Sequence, residues 1–433
     1  MPRKIIMSLA KSSFVYLVSN IINAAIPFLL LPVLTRVLSP SEYGQIAMFQ
    51  SLVAALAAFV GLNAVGAANR KFYDHGNSSR ELSHYNGVCL QILLGSSVLL
   101  LILCSIFSDL LVALLSIPAS WIYSALSFCA LSFVMNLRLG QWQVRSDAFK
   151  FGALQISNSL LNMGLSLLLV FALHHGAQGR VDAQVIAASL STMVAVYLLI
   201  KDKLITLHCW RPDYLREALS FGVPLIPHVF GFFLLSAVDR FVINQKLGLG
   251  QAGIYMVAVQ LSIAINIVFD AINKAYVPWL FDILKRDQDD EKRKVVKYTY
   301  LYFLLLLLVA PIPFLIGPWA LVFIAGEEYH TAGEVIGWLC LGQIFGGMYL
   351  MVTNYAFYAR KTGALSVVTI SSGILNVMLL MLFVKIFELE GAAMAFVLSK
   401  LVQFLAVLFI SGRNCSMPWI SVFFKSKPNV DLK

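Results

Sequence analysis

Apolar residues in this chain run in long blocks. Residues 301–325, LYFLLLLLVAPIPFLIGPWALVFIA, contain no charged side chain, and a helix needs only about 20 such positions to cross a hydrocarbon core about 30 Å thick. Blocks of this kind lie near 12–34, 43–65, 85–107, 115–137, 151–173, 183–200, 218–238, 253–273, 298–323, 333–357, 363–385 and 391–412. The pattern predicts about twelve transmembrane helices. A β-barrel also satisfies its backbone in lipid, but its strands are about ten residues long and alternate in polarity; these blocks do not alternate. The predicted fold class is an all-α integral membrane protein. The opening segment, MPRKIIMSLAKSSFVYLVSNIINAAIPFLLL, turns from basic to apolar as a signal peptide does. Its apolar stretch continues past any small-residue cleavage site, so it reads as a retained first span.

Composition strengthens this reading: 59% of the 433 residues are hydrophobic and 12% charged, against about 25% charged in a soluble domain. A net charge of +10 would suggest nucleic acid in a soluble chain, but here the loops explain it. With the N-terminus in the cytoplasm, cytoplasmic segments carry 26 Lys and Arg, while Arg36, Arg180, Arg240, Lys246 and Lys385 fall outside. By the positive-inside rule both termini are then cytoplasmic. The remaining cation, Lys400, lies within the last span. Lipid bilayer, not nucleic acid, is the expected partner.

Nothing in the sequence points to an enzyme or to a cofactor. There is no GxxxxGK[ST] phosphate loop, and Cys89, Cys104, Cys129, Cys209, Cys340 and Cys415 show no metal-ligand spacing. His174 and His175 are adjacent and so do not share a helical face.

The chain repeats itself. VRSDAFKFGALQISNSLLNMGLSLLLVF (144–171) resembles ARKTGALSVVTISSGILNVMLLMLFV (359–384), and LTRVL (34–38) resembles VDRFV (238–242). Arg36 and Arg240 are 204 residues apart, as are Arg70 and Lys274. Six spans separate the copies, so both enter the membrane the same way up. This predicts two pseudosymmetric six-helix lobes, residues 1–205 (spans 1–6) and 206–433 (spans 7–12), the parallel-repeat arrangement of transporters with a site at the midplane.

GLNAVGAANRKFYD (61–74), PVLTRVLSPSEYGQIAMFQSL around the first outer loop, and IAGEEYHTAGEVIGWLCLGQIFGG through ARKTGALSVVTISSGILNVMLLMLFVKIFELEGAAMAFVLS resemble the O-antigen and polysaccharide flippases, the Wzx group of the multidrug/oligosaccharidyl-lipid/polysaccharide exporter superfamily. The resemblance extends from about residue 8 to 412. It implies a V-shaped exporter bundle in the bacterial inner membrane that moves an undecaprenyl-diphosphate-linked oligosaccharide from the cytoplasmic to the periplasmic leaflet. A polysaccharide polymerase and a chain-length regulator are further partners it implies. Twelve spans rather than fourteen argue against the peptidoglycan-precursor branch.

Several residues then become candidates. Lys400 lies near the middle of a span, where a charge costs about 2.5–3.5 kcal/mol on insertion scales; it either holds the diphosphate, or pairs with an intramembrane carboxylate or snorkels. Ser262, Asn266, Asp270 and Asn273 share one helical face. This stripe either lines a cavity, with Asp270 as a proton or cation site, or hydrogen-bonds to neighbouring helices; Asn20, Asn23, Gln155, Asn158 and Asn162 form similar stripes. Arg36, Asp239 and Arg240 fall near the outer ends of equivalent helices, as an outer gate or as ordinary interfacial charge. Arg70, Lys71 and Lys274 are placed to meet an anionic head group at the cytoplasmic mouth, although the positive-inside rule alone also puts cations there; Arg360 and Lys361 carry the same double reading. Tyr349, Tyr355 and Tyr358 either stack on sugars or belong to an interfacial belt. Two rival functions remain open: a cation-coupled multidrug exporter on the same bundle, and a non-transporting scaffold for polysaccharide assembly.

Overall fold

In the computed structural model the described residues, 3–74, 78–206, 210–359, 361–415, 417–419 and 422, form helices and turns, with no strand among them. Cys209 and Arg360 lie outside the described residues. The order is α1 (Arg3–Val37), α2 (Pro40–Ala57), α3 (Ala64–Lys71), α4 (Ser79–Ile106), α5 (Ser108–Leu115), α6 (Ala119–Val144), α7 (Ala148–Ser166) and α8 (Gly176–Lys201). There follow α9 (Pro212–Gly222), α10 (Ile226–Ser236), α11 (Val238–Leu247), α12 (Leu249–Arg286), α13 (Asp289–Val309), α14 (Ile312–Ala325), α15 (Ala332–Tyr358) and α16 (Thr362–Asn414). Helix starts follow local chemistry. Ser39 and Ser78 each accept from the amide of a Glu three residues on, Glu42 and Glu81, whose carboxylates return to the Ser amides. These capping boxes satisfy helix-terminal donors that lipid could not.

Among the described residues nine helical segments are long and apolar enough to cross a membrane, or eleven if two bent pairs, 40–57 with 60–71 and 289–309 with 312–325, each count as one span. Two expectations are refined. The second span, expected unbroken over 43–65, bends by 53°. The last two, expected as 363–385 and 391–412, are joined in α16 with a single non-helical residue, Glu388 (φ 50°, ψ −125°). An unbroken helix of its 53 residues would reach about 80 Å, over twice the hydrocarbon thickness, so a chain reversal at Glu388 is what lipid permits.

The chain divides into two compact units, residues 1–257 with 322–329, and residues 258–321 with 330–433. In the first, α6, α7 and α8 pack on one another, α1 lies along α7, and α9 packs against α3 and α4. Leu139, Trp142, Leu154 and Ala195 form one buried cluster there. In the second, α15 packs along α16 over a core that includes Phe269, Phe303, Met348, Phe404 and Val407.

Candidate functional site

The second span breaks at GLN in the quoted 61–74 stretch. Gly61 (φ 70°), Leu62 (φ 47°) and Asn63 (φ 57°) are consecutive residues in the left-handed region. Only glycine adopts it without cost, and a bulky residue such as Leu62 is strained there by about 1–2 kcal/mol. Gly61 is also required by space, since a Cβ would come within 2.1 Å of the Phe133 ring. The freed backbone is tied down from neighbouring helices. The Gly61 amide donates to Ser96 Oγ at 2.8 Å, the Asn63 side-chain amide donates to the Gly222 carbonyl at 3.4 Å, and the Cys89 thiol donates to the Ala64 carbonyl at 3.5 Å. Irregular backbone at membrane depth persists where it lines a cavity, and two cavities adjoin this one.

The first, about 480 Å³, has Val60 and Phe128 among its apolar wall residues and Asn63, Ser132 and Asn136 as polar ones. The second, about 420 Å³, is walled by Arg70, Lys71, Tyr85 and Glu217. Phe221 and Leu225 belong to both walls, so the two are neighbours along one groove. Arg70 and Lys71 are thus brought together, but they are not equivalent. Lys71 Nζ lies 3.0 Å from Glu217 and 3.3 Å from Asp74, over the rings of Tyr85 (5.5 Å) and Tyr214 (5.7 Å). Arg70 is exposed, stacked 5.6 Å from the Phe221 centroid, with no carboxylate paired to it among the described residues. A planar guanidinium with free donors is suited to bidentate phosphate binding.

In the second unit, two expected residues neutralise each other: Lys274 Nζ is 2.5 Å from Asp270 Oδ2, one helical turn away. The Asn266 amide donates to Gln343 Oε1 at 2.7 Å, Gln343 Nε2 lies 3.4 Å from Ser262 Oγ, and Asn354 Nδ2 donates to Asn273 Oδ1 at 2.7 Å. Of the two readings of this stripe, interhelical bonding to α15 is the one the geometry displays for Ser262, Asn266 and Asn273. Lys400 differs. Its ammonium is 3.5 Å from Gln403 Oε1 and 5.6 Å from the Phe396 centroid, both on its own helix, and no carboxylate pairs with it among the described residues. The Ser399 hydroxyl and Gln403 Nε2 beside it are buried and have no partner.

The outer candidates are also separated. Arg36 is exposed at the end of α1. Asp239 and Arg240 are buried at the start of α11, where Asp239 Oδ1 accepts from the Arg240 amide at 2.8 Å and Arg240 Nη1 donates to the Ser236 carbonyl at 2.9 Å. Arg180, expected as an outer-loop cation, is instead buried within α8, donating to Asn162 Oδ1 at 2.7 Å and Ser166 Oγ at 2.8 Å. Tyr355 is buried with its hydroxyl 3.3 Å from that of Tyr276, away from any solvent-borne sugar.

The polysaccharide biosynthesis protein family matches residues 9–284 of this sequence, well over half of its length. The chain belongs to that family. This member is 29% identical over 86% of its length to a Haemophilus influenzae protein named as protein 1 of the Lsg locus, of which 90% is covered. It is 24% identical over 95% of its length to a Shigella flexneri protein named as a candidate O-antigen transporter, of which 99% is covered. Its fold is similar to that of an inward-facing multidrug resistance MATE family transporter of the MOP superfamily, with a TM-score of 0.68 at 17% identity, covering 91% of this chain and 94% of the other. The resemblance read from the sequence and the helical membrane fold agree with this membership.

For this polysaccharide biosynthesis family member, sequence reasoning singled out the cations but passed over Asn63, Ser132, Asn136 and Glu217. Asn63 stood inside a quoted stretch. Its residue type, common in the left-handed region, following Gly61 in an apolar span, was the available signal for the break. Ser132, Asn136 and Glu217 have no local signal, because only tertiary packing brings them beside α3.

Proposed function

We propose that this protein is a flippase that moves an undecaprenyl-diphosphate-linked oligosaccharide, the repeat unit of an O-antigen or related polysaccharide, from the cytoplasmic to the periplasmic leaflet of the bacterial inner membrane by alternating access. The observation that carries the reading is the broken second span, whose irregular backbone lines a groove with polar side chains and an uncompensated arginine at its end. Unpaired hydroxyls cost kilocalories each in hydrocarbon, so a sugar chain needs such a wet, polar route while the isoprenoid tail stays in lipid. Arg70 takes the diphosphate at the cytoplasmic end, and Lys400, with no carboxylate paired to it among the described residues, is a second cation for it, near the middle of its span. Family membership and the naming of the Shigella flexneri relative support the same substrate class. Twelve passes, the lobes 1–205 and 206–433, and cytoplasmic termini are part of this proposal, as are a polysaccharide polymerase and a chain-length regulator as partners.

A cation-coupled multidrug exporter is the alternative, favoured by the MATE-like fold; fold alone does not identify cargo. Deleting the gene tests between them. The flippase reading expects lipid-linked oligosaccharide to accumulate in the cytoplasmic leaflet and surface polysaccharide to fall, both restored by the wild-type gene. Unchanged polysaccharide together with increased drug sensitivity would transfer the protein to the exporter class.

A further inference from the structure

A further cavity in the first unit is walled by residues other than those of this groove. It occupies about 630 Å³ between α6, α7 and α8, at the ends that carry Arg138, Lys150 and Lys201. This is the same end of the unit as the Arg70 mouth, because Arg145 stacks 4.9 Å from the Phe72 ring and Asn86 of α4 donates to the Leu204 carbonyl at 2.8 Å. The wall has two chemistries. Toward the helix ends are three cations and one carboxylate, Asp202. Toward the helix middles, Leu154, Leu161, Leu190, Val194 and Leu198 form an apolar wall, in which Leu190 and Val194 are about half exposed.

Arg138 is the unusual member. Its side chain is 1% exposed, its guanidinium lies 4.0 Å from the Trp142 ring, and one Nη donates to Asp202. Its Nε is buried with no partner. A buried charged donor without an acceptor is a rare and costly arrangement. The Nε itself is closed to a ligand atom; what Arg138 brings to the cavity wall is its positive charge, only partly offset by Asp202. Lys150, 2.6 Å from Asp147, and the exposed Lys201 flank the opening and add positive potential.

We propose that this cavity is a binding site for an anionic phospholipid of the bilayer, with the head-group phosphate on Arg138, Lys150 and Lys201 and one acyl chain along Leu154, Leu161, Leu190, Val194 and Leu198. The apolar wall selects a lipid over a free phosphate, because inorganic phosphate would leave that wall uncovered. Basic pockets between transmembrane helices on the cytoplasmic side are suited to anionic head groups. The site tethers α6, α7 and α8 to one another at the leaflet from which Arg70 opens. It does not depend on the identity of the transported cargo, and binding is measured without transport.

The test is retention of lipid by the purified full-length protein, read by native mass spectrometry with phosphatidylglycerol or phosphatidylcholine of the same acyl composition. Wild type is expected to keep phosphatidylglycerol through delipidation that removes phosphatidylcholine. The exposed pair Lys150→Gln/Lys201→Gln, which leaves the buried Arg138–Asp202 contact intact, is expected to weaken phosphatidylglycerol binding about 25-fold, a factor of about five per surface charge. Val194→Trp, which fills the apolar part, is expected to lose the lipid while inorganic phosphate at millimolar concentration fails to displace it from wild type. Equal retention of the two lipids, an unchanged affinity in the double variant, or displacement by inorganic phosphate or by an isoprenyl diphosphate at lower concentration than phosphatidylglycerol would each overturn the assignment.

Discussion

Lys400 lies twelve residues past Glu388 and thirteen before Arg413, about 18 Å along the helix from the break, and among the described residues its ammonium has a long contact to Gln403 and an aromatic face for company. What matters at such a site is charge more than shape. Lys400→Arg is therefore expected to keep part of the activity, and Lys400→Ala to lose about 10- to 100-fold, the equivalent of one charge-assisted contact of about 1.5–3 kcal/mol. The measurement is surface polysaccharide restored in a flippase-null strain, normalised to the membrane level of each variant; full activity of Lys400→Ala would make the lysine structural. Arg70→Ala is expected to be more damaging than Lys274→Ala in the same assay, because Lys274 is already neutralised by Asp270. The i, i+4 spacing of that pair was a local signal for the contact, which the sequence reading passed over in giving the two residues separate roles. The 204-residue offset that likens Lys274 to Arg70 did not foretell it, since repeat position says nothing about which acid lies one turn away.

The broken helix is a matter of fit between elements. Gly61→Ala places a Cβ against Phe133 and holds a non-glycine residue at φ 70°, so a loss of about 2–4 kcal/mol is expected from backbone strain and overpacking together. Thermal unfolding in detergent would show it. Phe133→Ala in the same chain should recover part of that loss, a positive coupling between touching residues; strictly additive losses would mean that the ring is not what confines Gly61. Hydropathy found the second span because lipid demands a long apolar block, but it could not see the break, since Val60, Leu62 and Ala64 are as apolar as a straight helix requires. At Glu388 the pattern did better: the gap between the blocks 363–385 and 391–412 contains the one non-helical residue of α16. The repeat misleads over the break, because α12, the counterpart of the broken span, runs unbroken for 38 residues.

For the whole molecule, the class of fold was legible from block length alone, and the cation count predicted which ends face the cytoplasm. Within the first unit Arg70, Lys71, Arg138, Arg145, Lys150 and Lys201 lie at one end; which side of the membrane that end faces is part of the proposal. In a Cys-free background, a cysteine at position 178 is expected to react with an impermeant reagent from outside, and one at position 289 only after permeabilisation; the reverse pattern would invert the topology. A diphosphate diester carries about two negative charges, so outward transfer from a negative interior gains about 4.6 kcal/mol per 100 mV. Collapsing the membrane potential should therefore slow flipping more than collapsing the proton gradient alone. The most direct measurement is transbilayer movement of purified undecaprenyl-diphosphate-linked oligosaccharide in liposomes containing this protein and no other. The account predicts protein-dependent appearance of the sugar on the far face, accelerated by a potential negative on the side of origin and lowered at least tenfold by Lys400→Ala. Movement no faster than in protein-free liposomes, at a potential of either sign and with the protein folded, would contradict it.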